Sequence, residues 1–167
     1  MDDNTLQNTV ECLLFVAGDP VPVIELARVL ALSADETRAF LAKMEAQYRE
    51  SGRGVQLLVT EDTAQLTSNR EYISAVEELL QPEKTKSVSQ SMLETLAIVA
   101  YRQPVTRADI ESVRGVRCEY AVSQLQKLGF IVPVGRKDTV GKPVLFGTTD
   151  KFLRQFGLHS LSELPEF

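Results

Sequence analysis

Tryptophan is absent from these 167 residues, histidine occurs once and cysteine twice. Two cysteines as far apart as Cys12 and Cys118 provide neither a disulfide framework nor a metal-ligand spacing. Both are expected to act as small, partly buried hydrophobes. The one histidine, His159, follows a short predicted helix from Lys151 to Phe156 that Gly157 stops, and no cysteine adjoins it. No nucleophile and base pairing follows, and a surface or satisfied histidine is expected. Carboxylates pair at Asp2-Asp3, Asp35-Glu36, Glu61-Asp62 and Glu77-Glu78, at helix entrances, a hairpin turn and a helix surface. Dipole compensation and solubility explain those places. Gly52-Arg53-Gly54 lacks the third glycine and the strand-then-helix setting of a phosphate cradle, and reads as a turn. No catalytic residue, metal site or cofactor is therefore expected, and no enzyme. There is no apolar run of about 18 residues to span a membrane, and no basic-then-apolar leader. A cytoplasmic protein without membrane contact is the expectation.

Excess positive charge is also missing: the formal net charge is −5. Residues 1–86 carry 8 Lys and Arg against 15 Asp and Glu, whereas residues 87–167 carry 10 against 8. The two halves are unequal partners for a polyanion.

Helical periodicity is abundant. Leu93, Leu96, Ala97, Ala100 and Tyr101 recur at i, i+3, i+4, i+7 and i+8, one apolar stripe. Ser91 with Glu94 reads as a capping box at its start. The stripe ends at Gln103-Pro104, because the residue before a proline is pushed out of the helical region. Thr106 and Asp109 open a second helix, which Gly115 breaks. A third runs from about Glu119 to Leu128 with Ala121, Val122, Leu125 and Leu128 inward, and Gly129 suits a left-handed cap. Strands Phe130 to Val134 and Val144 to Thr148 flank a polar loop from Gly135 to Lys142. Three helices followed by a hairpin describe a winged helix.

The unit occurs twice. A shift of 84 positions lays Pro20 on Pro104, Val21 on Val105, Leu26 on Ile110, Val29 on Val113, Leu41 on Leu125 and Met44 on Leu128. In the first copy Leu6, Val10, Leu13, Leu14 and Ala17 form a stripe that Gly18 stops, Pro20 to Pro22 turn the chain, and Val23 to Leu30 is helical. Ser33 and Glu36 cap a long helix marked by Thr37, Phe40, Leu41, Met44 and Tyr48. Val55 to Val59 and Ala64 to Thr67 make the wing, and a helix from Tyr72 to Leu80 follows. The expected fold class is α+β, mainly α, as two tandem winged-helix domains at 1–82 and 89–167. The polar, proline-marked segment 83–88 links them.

A winged helix invites DNA, but Ala34-Asp35-Glu36 puts carboxylates where a recognition helix meets phosphates. In the second copy Arg117, Glu119, Tyr120, Ser123, Gln124 and Lys127 occupy the exposed face, and the wing holds Arg136, Lys137 and Lys142 against Asp138. These wing cations read either as a solvated tip or as a weak nucleic-acid contact. A tandem winged-helix DNA-binding transcriptional regulator is the competing reading.

From Leu93 to Val116 the chain resembles the signature of bacterial segregation and condensation protein B. The resemblance extends to Glu11–Pro20, Gly52–Leu57, Val134–Thr149 and Phe152–Leu158. After Arg-Gly-Val that family usually runs Asn-Ser-Asp-Gly, where Arg117-Cys118-Glu119-Tyr120 stands here. The resemblance implies a non-enzymatic subunit of the bacterial SMC-kleisin condensin complex, nucleoid-associated, supporting chromosome condensation and segregation during cell division. It implies a homodimer formed mainly through the N-terminal domain. It also implies binding to the kleisin, segregation and condensation protein A, and through it to the SMC ATPase, with DNA contacted only weakly or indirectly.

Candidate partner contacts gather at the first C-terminal turn: Tyr101, Arg102, Gln103, Pro104 and Val105, with Arg114 and Gly115 at the next. A turn arginine offers planar multi-donor bonding to carboxylates or carbonyls. The same residues also read as architecture, since Tyr101 lies on the stripe, Pro104 and Gly115 are turn residues, and Arg102 offsets a helix dipole.

Overall fold

A computed structural model describes residues 2–80 and 88–166. The chain divides into two compact units, Met1–Glu83 and Lys84–Phe167. Residues 83–87 of the expected linker lie outside the described residues.

In the N-terminal unit, helix α1 (Asp3–Ala17) starts where the Asp2 carboxylate accepts from the Thr5 N–H and ends at Gly18. Strand β1 (Val21–Pro22) leads into α2 (Val23–Leu30), and α3 (Ala34–Glu50) follows. The Ser33 hydroxyl accepts from the Glu36 N–H at 3.2 Å while the Glu36 carboxylate accepts from the Ser33 N–H at 2.8 Å, the reciprocal box expected of this pair. Strands β2 (Val55–Val59) and β3 (Thr63–Ser68) form the wing, in a sheet of order β1-β3-β2. Leu6, Val10, Leu14, Val23, Leu26, Leu41 and Met44 fill the core. Buried Glu45 reaches across from α3 and accepts from the Val59 N–H at 3.1 Å, tying the hairpin to the helix.

The C-terminal unit repeats the plan: α5 (Gln90–Arg102), β4 (Val105–Thr106), α6 (Arg107–Arg114), α7 (Glu119–Lys127), β5 (Ile131–Arg136) and β6 (Val144–Thr148), with sheet order β4-β6-β5. Each unit is thus a winged helix with a third short strand beside its wing. The pairs β1 and β4, and α2 and α6, keep the 84-residue shift without a slip. Thr106 and Asp109 form the second capping box, and Gly115 closes α6 at φ 70°, a conformation costly for any residue with a Cβ. Met92, Leu96, Val99, Ile110, Leu125, Ile131 and Phe152 centre the core. Helix α8 (Asp150–Phe156) and a 3₁₀ turn at Leu161–Glu163 finish the unit.

Several expectations need correcting. Ser89, not Ser91, caps α5, accepting from the Met92 N–H. Starting earlier leaves Ser91 and Glu94 on the helix surface, free to meet Arg114. Leu93, Ala97 and Tyr101 face outward while Met92, Leu96, Val99 and Ala100 are buried, so the core stripe lies one position back from the expected one. Leu128 is 38% exposed although its repeat mate Met44 is buried. The cause is length: α3 continues past Met44 to Glu50, whereas α7 stops at Lys127. Ala17 is exposed at the end of α1, and Ser123 and Gln124 are half-buried. Strand β5 continues through Gly135 and Arg136 by way of an irregularity between Pro133 and Gly135, shortening the expected loop. The stretch at Tyr72 begins as a 3₁₀ turn (Arg70–Tyr72), and α4 (Ile73–Leu80) buries none of its residues. Cys118 is buried just ahead of α7, as a small hydrophobe should be, but Cys12 is exposed.

Candidate docking surface on the C-terminal unit

The outward row of α5 is one wall of a groove. Leu93, Ala97 and Tyr101 stand one helical turn apart, and Phe152 and Phe156 of α8 face them with ring centroids 4.9 Å apart. Leu158, Leu164 and Pro165 close the far side of a space of about 340 Å³ whose lining is almost wholly apolar. The tail turn carrying Leu158 and Leu164 is fastened by His159, whose backbone N–H donates to the Glu163 carboxylate at 2.8 Å while its ring Nδ1 lies 2.9 Å from the same group. Leu93 is 40%, Tyr101 41% and Phe156 46% exposed, so the groove holds apolar surface in reach of a partner.

The turn beside the groove sorts the candidate residues. Tyr101 lines the groove, Arg102 is exposed on the last turn of α5, and Pro104 is exposed next to it. Gln103 is structural: its Oε1 accepts from the Thr148 N–H at 2.8 Å and its Nε2 donates to the Thr148 hydroxyl at 2.9 Å. Gly147 makes room for it, since a Cβ there would sit 2.9 Å from Gln103 Oε1 and 3.0 Å from Val134 Cγ1. Val105 is buried and belongs to the core, not to an exposed contact surface. Arg114 also turns inward: with its side chain 8% exposed, it donates to the Thr95 hydroxyl at 3.1 Å, the Ser91 hydroxyl at 3.0 Å and the Glu94 carboxylate at 3.1 Å. It stitches α6 to α5, and Gly115 ends the helix beside it. The seven residues therefore split, with Tyr101, Arg102 and Pro104 presented outward and the other four holding the turns in shape.

Wing cations are partly engaged. Arg136 donates to the Lys142 carbonyl at 3.0 Å across the wing, and Lys137 lies 3.4 Å from Asp109. Asp109 is held below the usual carboxylate range, first by the Thr106 hydroxyl and backbone N–H and then by Lys137. On α7 the entrance carboxylate Glu119 pairs with Arg107 at 3.0 Å. In the N-terminal unit Asp35 and Glu36 are exposed in the first turn of α3. That turn would set carboxylates against phosphates.

Sequence reasoning missed Phe156, Leu158, Leu164 and Pro165. The available signal was the Phe152 and Phe156 pair at i, i+4, followed by two leucines around a turn.

The fold and groove define a class: a tandem winged-helix protein with an open apolar groove on its C-terminal unit, and with no helix among the described residues long and apolar enough to cross a membrane. The chain belongs to the family of the segregation and condensation complex subunit ScpB, whose model matches residues 8–167. Segregation and condensation protein B of Alkaliphilus metalliredigens is 40% identical over 166 residues, 99% of this chain and 87% of that protein. The crystal structure of ScpB from Mycobacterium tuberculosis is 33% identical, with a TM-score of 0.46 over 95% of this chain and 98% of that one. A crystal structure of a dimer of the ScpB N-terminal domain complexed with ScpA peptide matches 46% of this chain and 95% of that chain, at 28% identity and a TM-score of 0.42.

Proposed function

We propose that this chain is a non-enzymatic subunit of a bacterial SMC-kleisin complex, acting in the cytoplasm at the nucleoid to support chromosome condensation and segregation. In this reading it binds the kleisin, segregation and condensation protein A, as a homodimer and meets the SMC ATPase through that kleisin. The α5–α8 groove receives an apolar segment of the kleisin, laid along the Leu93, Ala97 and Tyr101 row as a helix lies in a groove. The observation that carries this is the groove itself, apolar surface kept open at three residues of one helix face. Tyr101 is the natural anchor, because tyrosine combines a large apolar ring with a polar tip. Arg102 and Pro104 stand at its end, where the arginine can meet carboxylates or carbonyls of the bound segment.

DNA is at most a weak partner in this reading. The first turn of α3 is acidic, and two of the wing cations already have partners. Size exclusion with light scattering, on the full chain alone and with a peptide of the kleisin's central segment, tests the proposal beside a duplex shift assay at two salt concentrations. A dimer that takes up the peptide and leaves DNA unshifted supports it. A chain that ignores the peptide but binds duplex with steep salt dependence refutes it.

A further inference from the structure

Arg114 leaves one edge of its guanidinium half used. Nε and Nη2 lie side by side on that edge, the pair that can take two oxygens of a carboxylate or phosphate at once. Nη2 donates to Ser91 Oγ at 3.0 Å and to Glu94 Oε2 at 3.1 Å, whereas Nε is buried without a partner among the described residues. Glu94 does not fill the fork, because its second oxygen accepts from the Gln90 amide at 3.4 Å. With its side chain only 8% exposed, Arg114 cannot turn to water for the missing acceptor. A buried donor left in this condition is costly, and it adjoins an exposed hydroxyl.

Ser91 is that hydroxyl. It is the second residue of α5, on the solvent side. The first N–H groups of a helix lack acceptors inside it, and together with the macrodipole they favour a negative group there. Helices α1, α2, α3, α6, α7 and α8 each answer with a carboxylate in the first turn, and α5 does not. Ser89 is already committed as the cap of α5, its hydroxyl accepting from the Met92 N–H. Thr95, the other hydroxyl on Arg114, is fully buried and out of an enzyme's reach. Ser91 alone joins solvent access, an uncompensated helix start and half of an arginine fork.

We propose that Ser91 is a phosphorylation site whose phosphate is read within the chain by Arg114. A serine/threonine protein kinase supplies the group from ATP. Ser91 Oγ attacks the γ-phosphorus, the Oγ–P bond forms, and the bond from that phosphorus to the β–γ bridging oxygen breaks. ADP leaves, and the hydroxyl proton passes to the kinase's base. Fraying of the first helical turn lets the serine enter the kinase. Phosphoserine carries about −1.5 to −2 charges at pH 7 and three strong acceptor oxygens. Since Oγ already lies 3.0 Å from Nη2, those oxygens reach both nitrogens of the edge and face the first N–H groups of α5. Glu94, its side chain 50% exposed, gives way to water. The contact between α5 and α6 is thereby tightened, and nothing in this depends on what the groove binds.

The test compares the full chain in a Cys12→Ser background with the same chain carrying phosphoserine encoded at position 91 by codon suppression. The readout is the labelling rate of Cys118, 1% exposed in the core of that unit. Phosphorylation should slow labelling about fivefold or more, one to three new charge-assisted bonds acting on the opening equilibrium. Arg114→Lys keeps the charge without the fork, so most of the slowing should disappear there. The ratio of phosphorylated to unmodified rates within each background reads the coupling even where the substitution itself loosens the unit. Phosphopeptide mapping of the protein purified from its native cells should place phosphate on Ser91. Rates that do not change on phosphorylation, or that fall equally in Arg114→Lys, overturn the reading of the phosphate by Arg114 and leave Nε a packing defect. Native protein without phosphate on Ser91 through growth and division overturns the modification itself.

Discussion

Arg114→Ala separates the architectural and contact readings of the most heavily bonded candidate residue. The guanidinium donates to Thr95, Ser91 and Glu94, and charge-assisted bonds are each worth about 1.5–3 kcal/mol. Most of that is not lost on truncation. Ser91 is exposed and the Glu94 side chain is 50% exposed, so both rehydrate, and the Thr95 hydroxyl keeps its bond to the Ser91 carbonyl at 2.9 Å. Arg114 Nε is buried without a partner, and removing it returns about 1–3 kcal/mol of desolvation. Adding the packing of a side chain 8% exposed, the net destabilisation should be about 1–2 kcal/mol. Two units can unfold separately, so a global transition would blur the effect. Cys118 reports on its own unit: it is 1% exposed, and burial, helped by Glu111, pushes its thiol up from the usual value. In a Cys12→Ser background, Cys118 should label roughly five- to thirtyfold faster in the variant under native conditions, because opening is then the pre-equilibrium. Kleisin peptide affinity should be preserved wherever the unit is folded. An unchanged labelling rate would refute the stitching argument, and lost affinity with unchanged labelling would return Arg114 to the contact surface.

Other perturbations have equally definite outcomes. Ala31 ends α2 in the left-handed region at φ 54°, so Ala31→Gly should stabilise the N-terminal unit by up to about 1 kcal/mol in urea titrations. Gly147→Ala should destabilise the C-terminal unit by about 1–3 kcal/mol by thermal melting, since the new methyl displaces Gln103 from Thr148 or pushes Val134 away. Asp2, Glu36 and Asp109 are held below the usual carboxylate range, first by the Thr5 N–H, the Ser33 N–H and the Thr106 hydroxyl respectively. Folded values lower than unfolded ones mean that this stability is complete above the unfolded pKa and lost as pH falls through the folded one. The urea midpoint should therefore hold from pH 7 to about 5 and decline below about 4, less steeply in Asp109→Asn.

Local chemistry was legible in the sequence wherever it was self-contained. The Ser33 and Glu36 box, the Thr106 and Asp109 box, the start and end of α2 and the repeat of 84 residues all rest on neighbours in the chain. The cap of α5 was misplaced because Ser89 and Ser91 are both competent. Choosing between them also moves the stripe by one position and decides whether Leu93 and Tyr101 are core or surface. Arg114 could not be read inward, because its partners lie some twenty residues back on α5. The groove was illegible for the same reason, since its second wall comes from residues 152–165, brought over α5 only by the fold. The exposure of α4 is a further case, for its periodicity says that it has an apolar side but not whether its own unit covers it.

Calorimetric titration of the kleisin's central-segment peptide into the full chain, beside Ala97→Glu and Lys137→Glu, tests the central claim most directly. Ala97 is exposed in the middle of the groove row, so a carboxylate there should leave the fold intact and weaken binding at least tenfold by meeting the apolar segment with a charge, while Lys137→Glu on the wing leaves it unchanged. Equal affinity for Ala97→Glu and the wild type would contradict the claim, and loss confined to Lys137→Glu would move the kleisin from the α5–α8 groove to the wing.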